Sequence, residues 1–206
     1  MLVPSWEGAR GDELGAHLSP LFLLFLSAES FVHRFAAFTP HPLFSTTHPY
    51  LLSVLEDHTH PSIPTVANSL VLIHEPSGTI TPLAEGRDFY SSPQWSEDGK
   101  RVCWIEWEHP DMPWEASRLC VGTLEGVEGS KDGKGVKLAG EREVAGGRVG
   151  EEGTAVSQPR WVGEDVFFVW DKSGYSLLYK WTEGGEAELA MDEIKYDIAD
   201  PGQCPL

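Results

Sequence analysis

The apolar positions of this chain fall in short runs bounded by turn-forming residues, and the clearest run is Arg101-Val102-Cys103-Trp104-Ile105-Glu106-Trp107. Apolar residues occupy both of its faces, which predicts a strand covered on both sides. Before it, Ser92-Pro93-Gln94-Trp95 reads as a short extended segment and Ser96-Glu97-Asp98-Gly99-Lys100 as a turn. Gly99 accepts positive φ, and Asp98 can hydrogen-bond its local backbone. After it, the prolines of His109-Pro110-Asp111-Met112-Pro113-Trp114 remove ladder donors and end the strand. Arg118–Leu124 reads as a strand running back, which completes an antiparallel meander.

The meander recurs. Gln158-Pro159-Arg160-Trp161 repeats the Pro-x-Trp segment, Gly163-Glu164-Asp165 the acidic turn and Val166–Trp170 the buried strand. Tyr175–Trp181 repeats the return strand. Upstream, Tyr50–Glu56 reads as a strand, Asp57–Pro64 as a loop, and Asn68–His74 and Thr79–Leu83 as strands around the hairpin turn Glu75-Pro76-Ser77-Gly78. Strand-built repeats of about 40–50 residues are the signature of propeller blades. The expected fold is all-β: about three consecutive four-stranded antiparallel blades of an incomplete β-propeller, at about 49–86, 88–146 and 156–196. Trp95 and Trp161 are expected at equivalent positions, with Val102–Trp107 and Val166–Trp170 the most buried segments. A hairpin centred on the 109–114 loop would set Cys103 opposite Cys120.

The flanks differ. Residues 1–48 form a poorly defined segment whose one strongly apolar run is Leu21–Leu26, and 197–206 is a tail. That run is far short of the roughly 20 residues a membrane span needs. The acidic residues Glu7, Asp12 and Glu13 before it argue against a secretory leader, and a short helix near Leu21–Phe35 is the alternative considered. Glu125–Gly153, rich in Gly and charge, reads as a solvated hairpin insertion around a strand near Val136–Leu138, with Arg142–Ala145 as a further candidate.

Composition adds exclusions. With 15 basic and 32 acidic residues among 206, the net charge of −17 argues against nucleic acid or an anionic membrane as partner. Three cysteines, Cys103, Cys120 and Cys204, make neither a disulfide framework nor a zinc pattern, so reduced thiols and a cytoplasmic location are the default. Asp57, His58 and His60 lack further ligands at recognisable spacing, so an ordinary loop is preferred there to a metal site. Gly129–Gly135 is one residue short of a phosphate loop and has Gly135 where Ser or Thr would hold a metal ion. No cofactor is expected.

The stretch Ser91–Val121, with its Ser-Pro, its Ser-x-Asp-Gly-Lys turn and its His-Pro-Asp-Met-Pro-Trp loop, resembles a blade of the N-terminal propeller of prolyl oligopeptidase-family serine peptidases. The dipeptidyl aminopeptidase/acylaminoacyl-peptidase branch is the nearest in pattern, and the resemblance extends over roughly residues 50–196. It implies a substrate-gating domain whose partners are an α/β-hydrolase domain and a peptide substrate. The family's nucleophile sits in G-x-S-x-G, which does not occur in these residues, so no catalytic residue is assigned and no activity is expected of this chain alone. By the same resemblance the Glu108–Trp114 loop contacts the hydrolase domain or substrate, through Glu108, His109, Met112 and Trp114. His109 can donate, accept or titrate, and Met112 and Trp114 offer adaptable and rigid apolar contact. The plainer alternative is that Met112 and Trp114 cover the blade edge, packed under Trp104 or Trp107. At the level of function, the alternative is a propeller-type protein-interaction module with no peptidase role.

Overall fold

The computed structural model describes residues 33–35 (backbone), 45, 47–57, 66–130, 132–147, 153–192 and 195–198, all within one compact unit, 32–206. The apolar run Leu21–Leu26, His58, His60 and Cys204 lie outside the described residues.

The described residues form strands and turns, without helix. The first sheet is a meander of β1 (His33–Phe35), β2 (Tyr50–Asp57), β3 (Ala67–His74) and β4 (Thr79–Glu85). The second is β5 (Phe89–Trp95), β6 (Arg101–Trp107), β7 (Arg118–Glu125) and β8 (Lys137–Gly146). The third is β9 (Val156–Val162), β10 (Asp165–Trp170), β11 (Leu177–Trp181) and β12 (Glu188–Leu189). Every pairing is antiparallel. The all-β expectation holds, with three four-stranded sheets.

The two-faced apolar pattern of β6 has a direct cause. Val102 and Trp104 enter one core with Tyr50, Leu52, Leu70 and Leu72 of the first sheet. Cys103 and Ile105 enter a second core with Val166, Phe168, Leu177 and Tyr179 of the third. The second sheet is therefore sandwiched, and its central strand has no wet face. Val102 through Glu106 are buried, as are Val166 and Phe168–Trp170, while Trp107 and Phe167 are half-buried. Leu70–His74, Tyr50–Val54 and Arg118–Gly122 are buried equally.

The Pro-x-Trp repeat is a repeat of backbone geometry. Ser92 and Gln158, each just before a proline, take left-handed conformations at φ 49° and 54°. Each sits where its strand slips register against the next, between Ser91 and Gln94 in β5 and opposite Phe167–Val169 in β9. Such bulges, on strands at a sheet edge, are where a proline without an N–H is tolerated. Three residues on, Trp95 pairs with Val102 and Trp161 with Val166, so the two tryptophans occupy equivalent places.

Three expectations need correction. The helix considered over Leu21–Phe35 fails at its end, because His33–Phe35 pairs with Leu55–Asp57 and its backbone groups are used in a sheet ladder. Cys103 and Cys120 are not opposite each other: Cys103 pairs with Val121, and Trp104 with Cys120. That shift of one residue puts the two thiols on opposite faces, one in each core. Finally, the strand expected in the Gly-rich insertion near Val136–Leu138 is present and runs on through the candidate Arg142–Ala145, but the insertion is less solvated than expected. It carries the ten-residue strand β8, and Val127 and Val136 at its start are buried in the first core. Residues 132–133 lie on the β3–β4 hairpin, where Ser77 Oγ donates to the carbonyl of Asp132 (3.0 Å) and Thr81 Oγ1 to that of Gly133 (3.2 Å).

Candidate functional site

The 108–117 loop leaves β6 and enters β7 at one end of the second sheet. Its path is held from three sides. The His109 N–H donates to Asp88 Oδ2 (2.8 Å), from the β4–β5 connection. Within the loop, the Met112 N–H donates to Glu115 Oε2 (3.0 Å), and the Met112 carbonyl accepts from the N–H groups of Glu115 and Ala116. At its exit, buried Ser117 accepts from the Val156 N–H (3.0 Å) and donates to the Val156 carbonyl (3.1 Å), which ties the loop to β9 of the third sheet.

Beneath the loop lies a network of charges. Glu106, next to the end of an apolar strand, is 3% exposed, and its register partner Arg118 is 4% exposed. Glu106 accepts from Trp104 Nε1 (3.0 Å) and from Arg87 Nε (3.0 Å), with Arg118 Nε at 3.7 Å. Arg87 Nη1 reaches Glu108 Oε1 at 2.6 Å, and Arg118 Nη2 stands 3.6 Å from Glu108 Oε2. Glu143 of β8 approaches Arg118 at 3.9 Å. A buried carboxylate is tolerated only with such partners.

The electrostatic consequences follow the geometry. The Arg87 guanidinium is held above its ordinary pKa, first by its hydrogen bond to Glu108. Burial pushes Tyr90, whose hydroxyl accepts from the Arg87 N–H at 3.2 Å, up to about 12; Glu106 and Glu141 add to that rise. Burial, then the charge of Glu106, also raises the Glu141 carboxyl.

Above this base the loop presents apolar surface. Met112 is 46% and Trp114 50% exposed, so neither is packed under Trp104, which is fully buried in the first core. About half of each side chain is covered, and half faces solvent. Phe89, also partly exposed, stacks on Trp107 at 5.2 Å and 16° at the same end of the sheet. Of the four residues singled out from the sequence, Glu108 belongs to the base, whereas His109, Met112 and Trp114 are exposed on the loop. Arg87, Asp88, Glu106 and Arg118 were not singled out. The available signal was an acid, Glu106, inside the most apolar strand, with Arg118 at the start of the return strand.

Among the described residues no group of three His, Cys, Asp or Glu side chains is placed to hold a metal ion, and no helix is long and apolar enough to cross a membrane.

No family model and no curated protein matches the chain. Solved structures do. A Mycobacterium tuberculosis puromycin-hydrolyzing peptidase matches with a TM-score of 0.62 at 24% identity, over 78% of this chain and 24% of that one. Puromycin hydrolase matches with a TM-score of 0.60 at 23% identity, over 76% of this chain and 23% of that one. The likeness is one of fold, and the chain spans about a quarter of the length of the peptidases it matches. It agrees with the resemblance to a partial peptidase propeller.

Proposed function

We propose that this chain is part of the non-catalytic propeller of a serine peptidase of the prolyl oligopeptidase family, in the dipeptidyl aminopeptidase/acylaminoacyl-peptidase branch. Its role is to restrict access of peptide substrates, and its 108–114 loop contacts the hydrolase domain or the substrate. The observation that carries this reading is the 108–117 loop itself. Its base is fixed by Arg87, Glu106 and Arg118, while Met112 and Trp114 stand half-exposed above it. A surface loop with a rigid base and two large exposed apolar side chains is built for contact with another surface. His109 adds a titratable group beside them, and Glu108 links that surface to the charge network. The peptidase activity belongs to an α/β-hydrolase domain, so the 206-residue chain by itself hydrolyses nothing.

The test has two parts. The purified chain is assayed on aminoacyl chromogenic substrates, and no turnover is expected. The coding frame around it is then read for a G-x-S-x-G segment. If that segment is present, Trp114→Ala in the longer protein should change kcat/KM for peptides. A frame without it, together with an inactive chain that still captures a protein partner in a Trp114-dependent manner, would favour the interaction-module reading.

A further inference from the structure

The second sheet also holds the first through the β7–β8 connection, 126–136. Val127 and Val136 bury its two ends in the first core, and its tip lies on the β3–β4 hairpin. Two hydroxyls of the hairpin fasten the tip, Ser77 Oγ donating to the Asp132 carbonyl (3.0 Å) and Thr81 Oγ1 to the Gly133 carbonyl (3.2 Å). The Asp132 side chain is turned back on its own loop, with Oδ1 accepting from the Lys134 N–H (3.2 Å) and Oδ2 at 3.3 Å from Lys134 Nζ. Gly133 is buried against His74, the last residue of β3, which is 2% exposed. Tyr50, the register partner of His74, sets its ring 5.0 Å from the imidazole. The imidazole is thereby held in place beside the hairpin turn.

The Ser77 hydroxyl has more neighbours than it can serve. His74 Nδ1 lies 2.7 Å from Oγ, Thr79 Oγ1 2.8 Å, the Asp132 carbonyl 3.0 Å and the Thr79 nitrogen 3.3 Å. A hydroxyl has one proton and two lone pairs. The Asp132 carbonyl can only accept and the Thr79 N–H can only donate, whereas Thr79 Oγ1 serves either way. His74 Nδ1 donates or accepts according to which ring nitrogen holds the proton. Directing the Ser77 proton to His74 leaves the Asp132 carbonyl facing a lone pair. Directing it to Asp132 makes the three shortest contacts hydrogen bonds, with His74 Nδ1–H and Thr79 Oγ1–H donating to Ser77. The Thr79 N–H, at 3.3 Å, is then the weakest of the four.

We infer that the hairpin and the tip form a clasp between the first and second sheets, closed by the Ser77 hydroxyl and set by the tautomer of His74. With the proton on Nδ1, the imidazole donates to Ser77, the Ser77 proton goes to Asp132, and the clasp is closed. With the proton on Nε2 alone, Nδ1 takes the Ser77 proton and the Asp132 carbonyl loses its donor. The tip then keeps the Thr81 bond and lifts more readily. One hydrogen bond of this kind changes an opening equilibrium by up to about tenfold.

Proton–nitrogen correlation NMR of the full 206-residue chain at about pH 8, where an ordinary histidine is neutral, reads the tautomer directly. The His74 signals are those missing from the spectrum of His74→Asn. A proton on Nδ1 and a bare Nε2 are expected; a proton on Nε2 with a bare Nδ1 overturns the inference. Hydrogen exchange of the 127–136 amides then tests the clasp, with the Val102–Ile105 amides of β6 as the internal reference. Ser77→Ala should speed exchange of the tip severalfold, up to about tenfold, and leave β6 unchanged. His74→Asn keeps an N–H donor near the place of Nδ1 and should stay within about twofold of the wild type. His74→Asp, of the same shape but accepting only, should match Ser77→Ala, and the double variant should be no faster than either. Unchanged exchange in Ser77→Ala, or equal acceleration in His74→Asn and His74→Asp, overturns the clasp. Ser77 is exposed, so its variant and the wild-type tautomer keep the test decisive if His74→Asp fails to fold.

Discussion

Glu106 and Trp104 share one strand and one hydrogen bond, and together they couple the core to the loop above it. Trp104 is fully buried, so Trp104→Ala removes a large side chain and strips Glu106 of a donor. The expected loss is about 3–5 kcal/mol by urea denaturation; a loss below about 1 kcal/mol would show that the site collapses without cost. Tyr90 gives the same neighbourhood a pH signature. Its folded pKa, raised by burial to about 12, lies above the unfolded value near 10. The native state therefore holds the proton more tightly. Its contribution to stability is complete below about pH 10 and is lost as the pH rises towards about 12. Thermal unfolding between pH 9 and pH 12 should show a smaller loss in Tyr90→Phe than in the wild type; equal losses would remove Tyr90 from the account.

Elements differed in how plainly the sequence announced them, and each difference has a physical origin. Strand β6 was legible because a sandwiched strand must be apolar on both faces, and the Pro-x-Trp segments because their spacing repeats. Strand β1 was not, since three residues paired through their backbone leave no side-chain pattern. The loop was visible in His109–Trp114, but its base became clear only once the register placed Arg118 opposite Glu106. That register also separates Cys103 from Cys120, and burial pushes both thiols up. In a Cys204→Ser variant, an aromatic disulfide reagent should find no reactive thiol in the native protein and two after denaturation. The strand within the insertion was legible but its docking was not, because its glycines suggest solvent whereas Val127 and Val136 anchor it. Gly133 shows how tightly it docks: at φ 78°, a Cβ there would stand 2.5 Å from His74 Cβ. Gly133→Ala should cost roughly 1–3 kcal/mol from backbone strain, with the clash adding to it. A neutral result in denaturant titration would mean that the insertion lifts off freely.

Across the whole molecule, stability is organised by neighbours. One core joins the first and second sheets, the other joins the second and third, and among the described residues none of the first sheet enters the second core. An array of this kind approximates a sum of unit and interface terms, as in repeat proteins. The ends are also unequal. On the first sheet's far face Leu51, Val71 and Ile73 are buried. On the third sheet's far face Phe167 and Leu178 are half-buried, and Val162 is 57% exposed. The third sheet should therefore be the first to open and the first to associate with other molecules. Phe168→Ala, at a site 1% exposed in the second core, should cost about 3–5 kcal/mol, borne mainly by that sheet. Hydrogen exchange of the variant is expected to show protection lost in β9–β11 and retained in β2–β4. Sedimentation should show concentration-dependent association that grows with the loss. If all three sheets lose protection together, the interface between the second and third sheets is strong enough to make the array one cooperative unit, and the neighbour-by-neighbour account is wrong.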